Sequence, residues 1–185
     1  GPIERASKLL PQIETPRTFD YEQAKDGARQ MLWGFFKKIA IADVCGQYVD
    51  YIFLNYETLG PGYLVLGVIL FLFQIYGDFS GYSDIAIGCS KIFGIRLMVN
   101  FAYPFFSRDV IEFWQRWHIS MIRWFIDYVG IALGGSRGKM WRRFRNFIVI
   151  FTISGFWHGA KWTFVTSGFL QGWLIVISFM FRQKS

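Results

Sequence analysis

The sequence predicts an all-α, multi-pass transmembrane helical protein in which spans alternate with interfacial amphipathic helices. Three observations carry the prediction. No charged residue stands between Thr58 and Gly77, or between Trp162 and Phe181. About 20 mostly apolar residues suffice for a helix to cross a hydrocarbon core ~30 Å thick, and both runs reach that length. The basic residues behind the net charge of +7 fall between apolar stretches, in Lys91–Arg96 and most densely in Arg137–Arg145. That placement suits cytoplasmic loops beside anionic headgroups and argues against nucleic acid as a partner. A soluble domain of 185 residues could also bury a core, so the uninterrupted arrangement of the apolar residues decides, not their number.

Taken in order, the elements form a single membrane domain over 1–185. Gly1-Pro2 at one end and Arg182-Gln183-Lys184-Ser185 at the other read as cuts, so the chain is expected to be an internal piece of a longer one. Pro2, Pro11 and Pro16 predict a surface loop over 1–18. Helices follow over 19–57. The first is capped by Asp20, with Glu22 in its first turn, and runs to Lys37-Lys38. The second, Ile39–Leu54, is either a span with Asp43 and Asp50 turned inward or an interfacial helix. Over 58–90 a span entered at Pro61-Gly62 ends in Gly77-Asp78-Phe79-Ser80-Gly81-Tyr82-Ser83-Asp84. Its glycines and small polar residues predict a broken or buried segment at membrane depth. Residues 109–127 read as one interfacial amphipathic helix. Glu112 and Arg116 pair on its polar side, and His118 shares a side with Ile111, Trp114, Ile122 and Phe125. A glycine turn at 134–138 leads into a basic loop over 137–145. A helical hairpin over 146–181, broken at Gly159-Ala160-Lys161, carries His158.

The chain has two histidines. A helix rising from Arg145 at 1.5 Å per residue lifts His158 by about 20 Å, into the hydrocarbon core. Ionisable groups at that depth are costly and mark function by default; the plain alternative is an imidazole hydrogen-bonded to a neighbouring helix as packing glue. Imidazole can take a proton from a hydroxyl and return it, and burial favours its neutral, basic form. For His118, on the apolar side of its helix, a structural duty competes with polarising a carbonyl or orienting a substrate. Asp78 and Asp84 could position a cation, a histidine or a turn, with Ser80 and Ser83 favouring turn capping. Asn100 and Arg123 are polar anchors. Cys45 and Cys89 provide neither a disulfide framework nor metal spacing, and no metal site is expected. No Gly-x-Ser-x-Gly elbow, phosphate-binding Gly-Lys-Ser/Thr loop, His-Glu-x-x-His pair or Cys-x-x-Cys occurs.

Phe113-Trp114-Gln115-Arg116-Trp117-His118-Ile119-Ser120 and Gly155-Phe156-Trp157-His158-Gly159-Ala160 resemble the two histidine motifs of the membrane-bound O-acyltransferase family. Asp78–Gly88, Gly1–Arg5 and Ile131–Arg137 are similar to motifs of its bacterial polysaccharide branch. Gln115 and Ile126 stand where that pattern has arginine, and Lys161 and Thr163 where it is small or Asn.

The resemblance implies His158 as the catalytic histidine and His118 as its partner. Asp78, Ser80, Ser83, Asp84, Asn100, Trp117, Arg123 and Trp157 are then candidate supporting or substrate-binding residues. It further implies an acyl, most simply acetyl, group taken from a thioester co-substrate, acetyl-CoA or an acyl carrier, with no tightly bound cofactor. The group would pass to a hydroxyl for O-acetylation of an exported polysaccharide such as alginate, with a periplasmic or extracellular relay protein as partner and the bacterial inner membrane as location. A transporter, a structural subunit of an export complex and a lipid or sterol acyltransferase are the competing readings. Gly-rich breaks with acids at membrane depth suit the transporter. The Asp-Phe-Ser-Gly-Tyr-Ser-Asp stretch favours the polysaccharide branch.

Overall fold

The computed structural model describes residues 2–135 and 139–182, and among them there are helices and no strands. The contacts fall into two compact units, Gly1–Asn100 and Phe101–Ser185.

In the first unit, α1 (Ala6–Glu14) stands inside the expected surface loop 1–18. Pro11 lies within the helix, where it removes one backbone donor. Contacts far along the chain compensate: Gln12 exchanges amide hydrogen bonds with Arg96, accepting from its N at 2.8 Å and donating to its O at 3.2 Å. Glu4 accepts from the backbone N of Met98. Helix α2 (Tyr21–Phe36) begins as its sequence dictates, with Asp20 accepting from the N of Gln23 at 3.0 Å. It passes through a π-helical segment (Lys37–Ala42) into α3 (Asp43–Leu54).

Helix α4 (Pro61–Ile92) then runs unbroken for 32 residues, so of the two readings of Gly77–Asp84 the break is absent, while Gly77, Ser80, Gly81 and Ser83 are buried. The glycines serve another purpose. A Cβ on Gly34 would sit 2.6 Å from the carbonyl oxygen of Gly81, and one on Gly81 would sit 2.7 Å from that of Gly34. Gly27 and Gly88 face each other in the same way, seven residues along each helix. Two paired notches let the α2 and α4 backbones touch, the geometry small residues provide in membranes. The glycines loosen nothing because α2 supplies the packing surface they lack.

The second unit opens on a 3₁₀ turn (Pro104–Phe106), followed by α5 (Val110–Arg116), α6 (Ile119–Phe125) and a π-helical segment (Ile126–Gly130). The single interfacial helix expected over 109–127 is therefore two helices, broken at Trp117-His118. The pair expected in its first half is present, Arg116 meeting Glu112 at 2.5 Å, and Asp109 caps α5. Hydrogen bonds from the backbone N–H and guanidinium of Arg108 hold the Glu112 carboxyl down, to about 2.

Helix α7 (Met140–His158) starts within the predicted basic loop 137–145, so Arg142, Arg143 and Arg145 ride on its first turns. Ser136, Arg137 and Gly138 of the expected turn and loop lie outside the described residues. The hairpin closes at Gly159–Lys161 as expected, and α8 (Trp162–Arg182) returns along α7. Gly155 and Gly168 form its crossing point, where a Cβ on either residue would lie about 3 Å from the Cα of the other.

Among the described residues two helices, α4 and α8, are long and apolar enough to cross a membrane. Only 22% of each apolar window is buried, whereas the core helix of a soluble protein would be mostly buried.

Candidate functional site

His158 is the last residue of α7. The helix is continuous from the basic cluster, so the rise of about 20 Å from Arg145 stands. Its Nδ1 lies 2.7 Å from the carbonyl oxygen of Ser154 one turn earlier. A carbonyl can only accept, so Nδ1 carries the hydrogen. The neutral ring then presents the lone pair on Nε2. One helix thus both positions the imidazole and sets its tautomer.

The burial expected at His158 falls on the other histidine. His158 and Trp157 are exposed on this chain, whereas His118 is 8% exposed. The cause is the break between α5 and α6. His118 takes the left-handed conformation, φ 44° and ψ 51°, and the chain changes direction there. Trp117 packs against Phe113 at 5.5 Å and edge-on to Phe101 at 5.0 Å. A straight helix over 109–127 would have no such change of direction to seat both residues. The start of α6 that follows is also buried, with Ser120 fully buried and Met121 2% exposed, and Ser154 of α7 is 6% exposed. The Ser154 hydroxyl donates weakly to the Met121 sulfur at 3.9 Å. Desolvation, and secondarily the positive charge His158 can carry, holds the His118 imidazole down to about 4. It is neutral at physiological pH.

Trp157 leans on Trp124 at 5.9 Å and on Phe125 at 6.1 Å, tying the end of α7 to α6. Trp114, one turn before His118, meets Phe151 at 4.9 Å, and its buried indole N–H has no acceptor among the described residues. Arg123 points outward from α6. The second unit therefore gathers His118, His158, Trp117 and Trp157 around the α5–α6–α7 contacts.

The first unit holds a separate polar cluster. Lys37, 8% exposed, donates to Asp84 at 2.5 Å and to Ser80 at 3.0 Å. Gln30 donates to the other Asp84 oxygen at 2.8 Å, and the Asn100 amide donates to Ser83 at 3.2 Å. Asp78 pairs with Lys38 at 2.6 Å. Ser80, Ser83 and both acids thus bind other elements, and the expected turn capping is replaced by cross-helix bonding. Lys37 and Gln30 escaped the sequence reading because two adjacent lysines resemble a helix end. The available signal was Asp84 itself, an acid in an otherwise apolar region that needed a cation.

The chain matches the model of the membrane-bound O-acyltransferase family over residues 1–184. It is 41% identical over 178 residues to a probable alginate O-acetylase of Azotobacter vinelandii, covering 95% of this chain and 35% of that protein. It is 38% identical over 174 residues to a peptidoglycan O-acetyltransferase of Helicobacter pylori, covering 93% and 33%. A teichoic acid D-alanyltransferase of Streptococcus thermophilus is 30% identical over 199 residues, covering 100% and 48%. The chain spans about a third of the length of the first two relatives.

Proposed function

The chain belongs to the membrane-bound O-acyltransferase family, and from that premise we propose that it forms the histidine-bearing part of a multi-pass enzyme of the bacterial inner membrane. The parent protein takes an acetyl group from a thioester, acetyl-CoA or an acyl carrier, and passes it to a hydroxyl destined for an exported polysaccharide such as alginate. The acceptor is a sugar or a periplasmic or extracellular relay protein.

The observation that carries the reading is the hydrogen bond between His158 Nδ1 and the Ser154 carbonyl, which leaves Nε2 as the base. Nε2 accepts the proton of the acceptor hydroxyl, and the oxygen attacks the thioester carbonyl. The tetrahedral intermediate collapses with loss of the thiolate, which takes the proton back from His158. General base catalysis of this kind is worth ~10²–10⁴-fold, the remainder coming from holding both substrates where water is scarce. His118, kept neutral by burial, retains one ring N–H and can donate it to the oxyanion. Trp117 and Trp157 set the positions of the two rings, and Arg123 supports an anionic group of the donor. Asp78, Ser80, Ser83, Asp84 and Asn100 support the scaffold of the first unit.

The transporter reading rests on a helix broken at Gly77–Asp84; α4 is continuous through those residues and withdraws that support. The test is His158→Ala in the full-length protein. The surface polymer should lose its acetyl esters while expression stays normal. Wild-type acetylation in that strain would end the assignment.

A further inference from the structure

The second unit contains a groove of about 790 Å³ that the chemistry above does not use. Among the described residues its walls include Ile126, Ile131, Asn146, Phe147, Ile150 and Phe179, and Arg143 contributes a cationic side chain. The groove is built, not incidental. Asn146 donates to the carbonyl oxygens of Gly135 at 3.0 Å and Leu133 at 3.4 Å, and Arg145 donates to Leu133 at 3.2 Å. These bonds pin the 131–135 turn to α7 as a wall. Gly130 brings the π-helical segment within reach of Ile150, whose Cδ1 would lie 3.3 Å from a Cβ there.

Its polarity follows the depth of a leaflet. The start of α7 and the end of α8 lie together, as the Phe144–Phe179 and Phe147–Phe179 ring contacts show. Arg142, Arg143, Arg145 and Arg182 therefore gather at one end of the hairpin. Basic residues at the end of a spanning helix sit at headgroup level. From Arg143 to Ile150 the groove descends about 10 Å along α7, at 1.5 Å per residue, past Asn146, whose amide is turned to the 131–135 wall, into apolar side chains. A cation at headgroup depth above an apolar trough matches an anionic amphiphile, and the volume suits a bound acyl chain.

We propose that this groove is a binding site for an anionic phospholipid, its phosphate on Arg143 and one acyl chain along Ile131, Phe147, Ile150 and Phe179. The inference rests on the membrane reading and is independent of the acyl-transfer chemistry.

The test uses the full-length protein in nanodiscs containing phosphatidylglycerol and phosphatidylcholine, with retained lipid counted by native mass spectrometry after release. The wild type should keep phosphatidylglycerol in preference to phosphatidylcholine. Arg143→Gln should weaken retention about fivefold, the weight of one cation near an anionic surface, and Arg143→Lys should restore most of it. Ile131→Trp, at a residue 66% exposed, should fill the groove and abolish retention without lowering thermal stability. Equal retention of both lipids, unchanged in Arg143→Gln and Ile131→Trp, would overturn the proposal. So would displacement of the lipid by acetyl-CoA, which would make the groove a donor site. A third overturning result is failure of a lipid-soluble maleimide to label Ile131→Cys, which would mean that another part of the longer chain fills the groove. Polymer acetylation, measured in parallel, separates each of these from failure of the His158 assignment.

Discussion

Replacing Lys37 with methionine tests whether the polar cluster of the first unit is a clamp between α2 and α4. Methionine keeps the stem that packs on α4 and deletes the charge. Lys37 Nζ lies 2.5 Å from Asp84, with side chains 10% and 23% exposed. At an effective dielectric near 20, unit charges at that separation attract by about 7 kcal/mol, a gross value largely offset by the desolvation of both groups. What the variant measures is different. Asp84 stays in place with Gln30 donating to one oxygen, and orphaning a buried charge costs about 3–5 kcal/mol. Because nearly a quarter of the Asp84 side chain meets its surroundings, the lower end, about 3 kcal/mol, is expected. Adding Asp84→Leu removes the orphan and should recover most of the loss, since apolar replacement of both partners is often neutral. The assay is thermal unfolding of the purified full-length protein, read as the monodisperse fraction surviving heating, for wild type, both single variants and the double. A Lys37→Met protein as stable as wild type would refute the reasoning. So would a double variant no better than the worse single one, because two groups that do not interact cannot rescue each other.

Three further predictions follow the same logic. Gly34→Val and Gly81→Val should each destabilise the protein by about 1–3 kcal/mol by forcing the α2 and α4 backbones apart, whereas Gly62→Ala, with nothing within 4 Å, should unfold at the wild-type temperature. His118 is depressed to about 4, so between pH 6.5 and 4 the unfolded state binds more protons than the folded one and stability rises with pH. Acidification through that window should destabilise the wild type, and His118→Asn, which tolerates the left-handed conformation, should flatten the profile in a pH series of unfolding curves. Finally, His158→Gln should leave unfolding unchanged while lowering acetyl transfer ~10²–10⁴-fold, the loss of general base catalysis, as measured by ester release from the polymer.

Much of this was legible in the chain order alone. The uncharged runs set α4 and α8, because a helix satisfies its own backbone and needs no partner to be the only option in hydrocarbon. Asp20 caps its helix through a bond that spans three residues, well within local reach. The turn at Gly159–Lys161 was equally local. The expectations that failed all depended on something distant. Pro11 marks a loop until Arg96 and Met98, some 85 residues away, hold it as a helix. The Gly77–Asp84 stretch reads as either broken or buried until α2 is laid against it and leaves it buried in a continuous helix.

The histidine pair divides along the same line. By itself the sequence determined that His158 rides one helix away from a basic cluster, and which motif carries it, because helical rise is a local quantity. Only the tertiary structure decided that His118 is the buried ring, held left-handed at a break, and that Lys37 answers Asp84. Burial, backbone direction at a break and ion pairing depend on which surfaces meet, and contacts between residues tens of positions apart leave no periodicity to read.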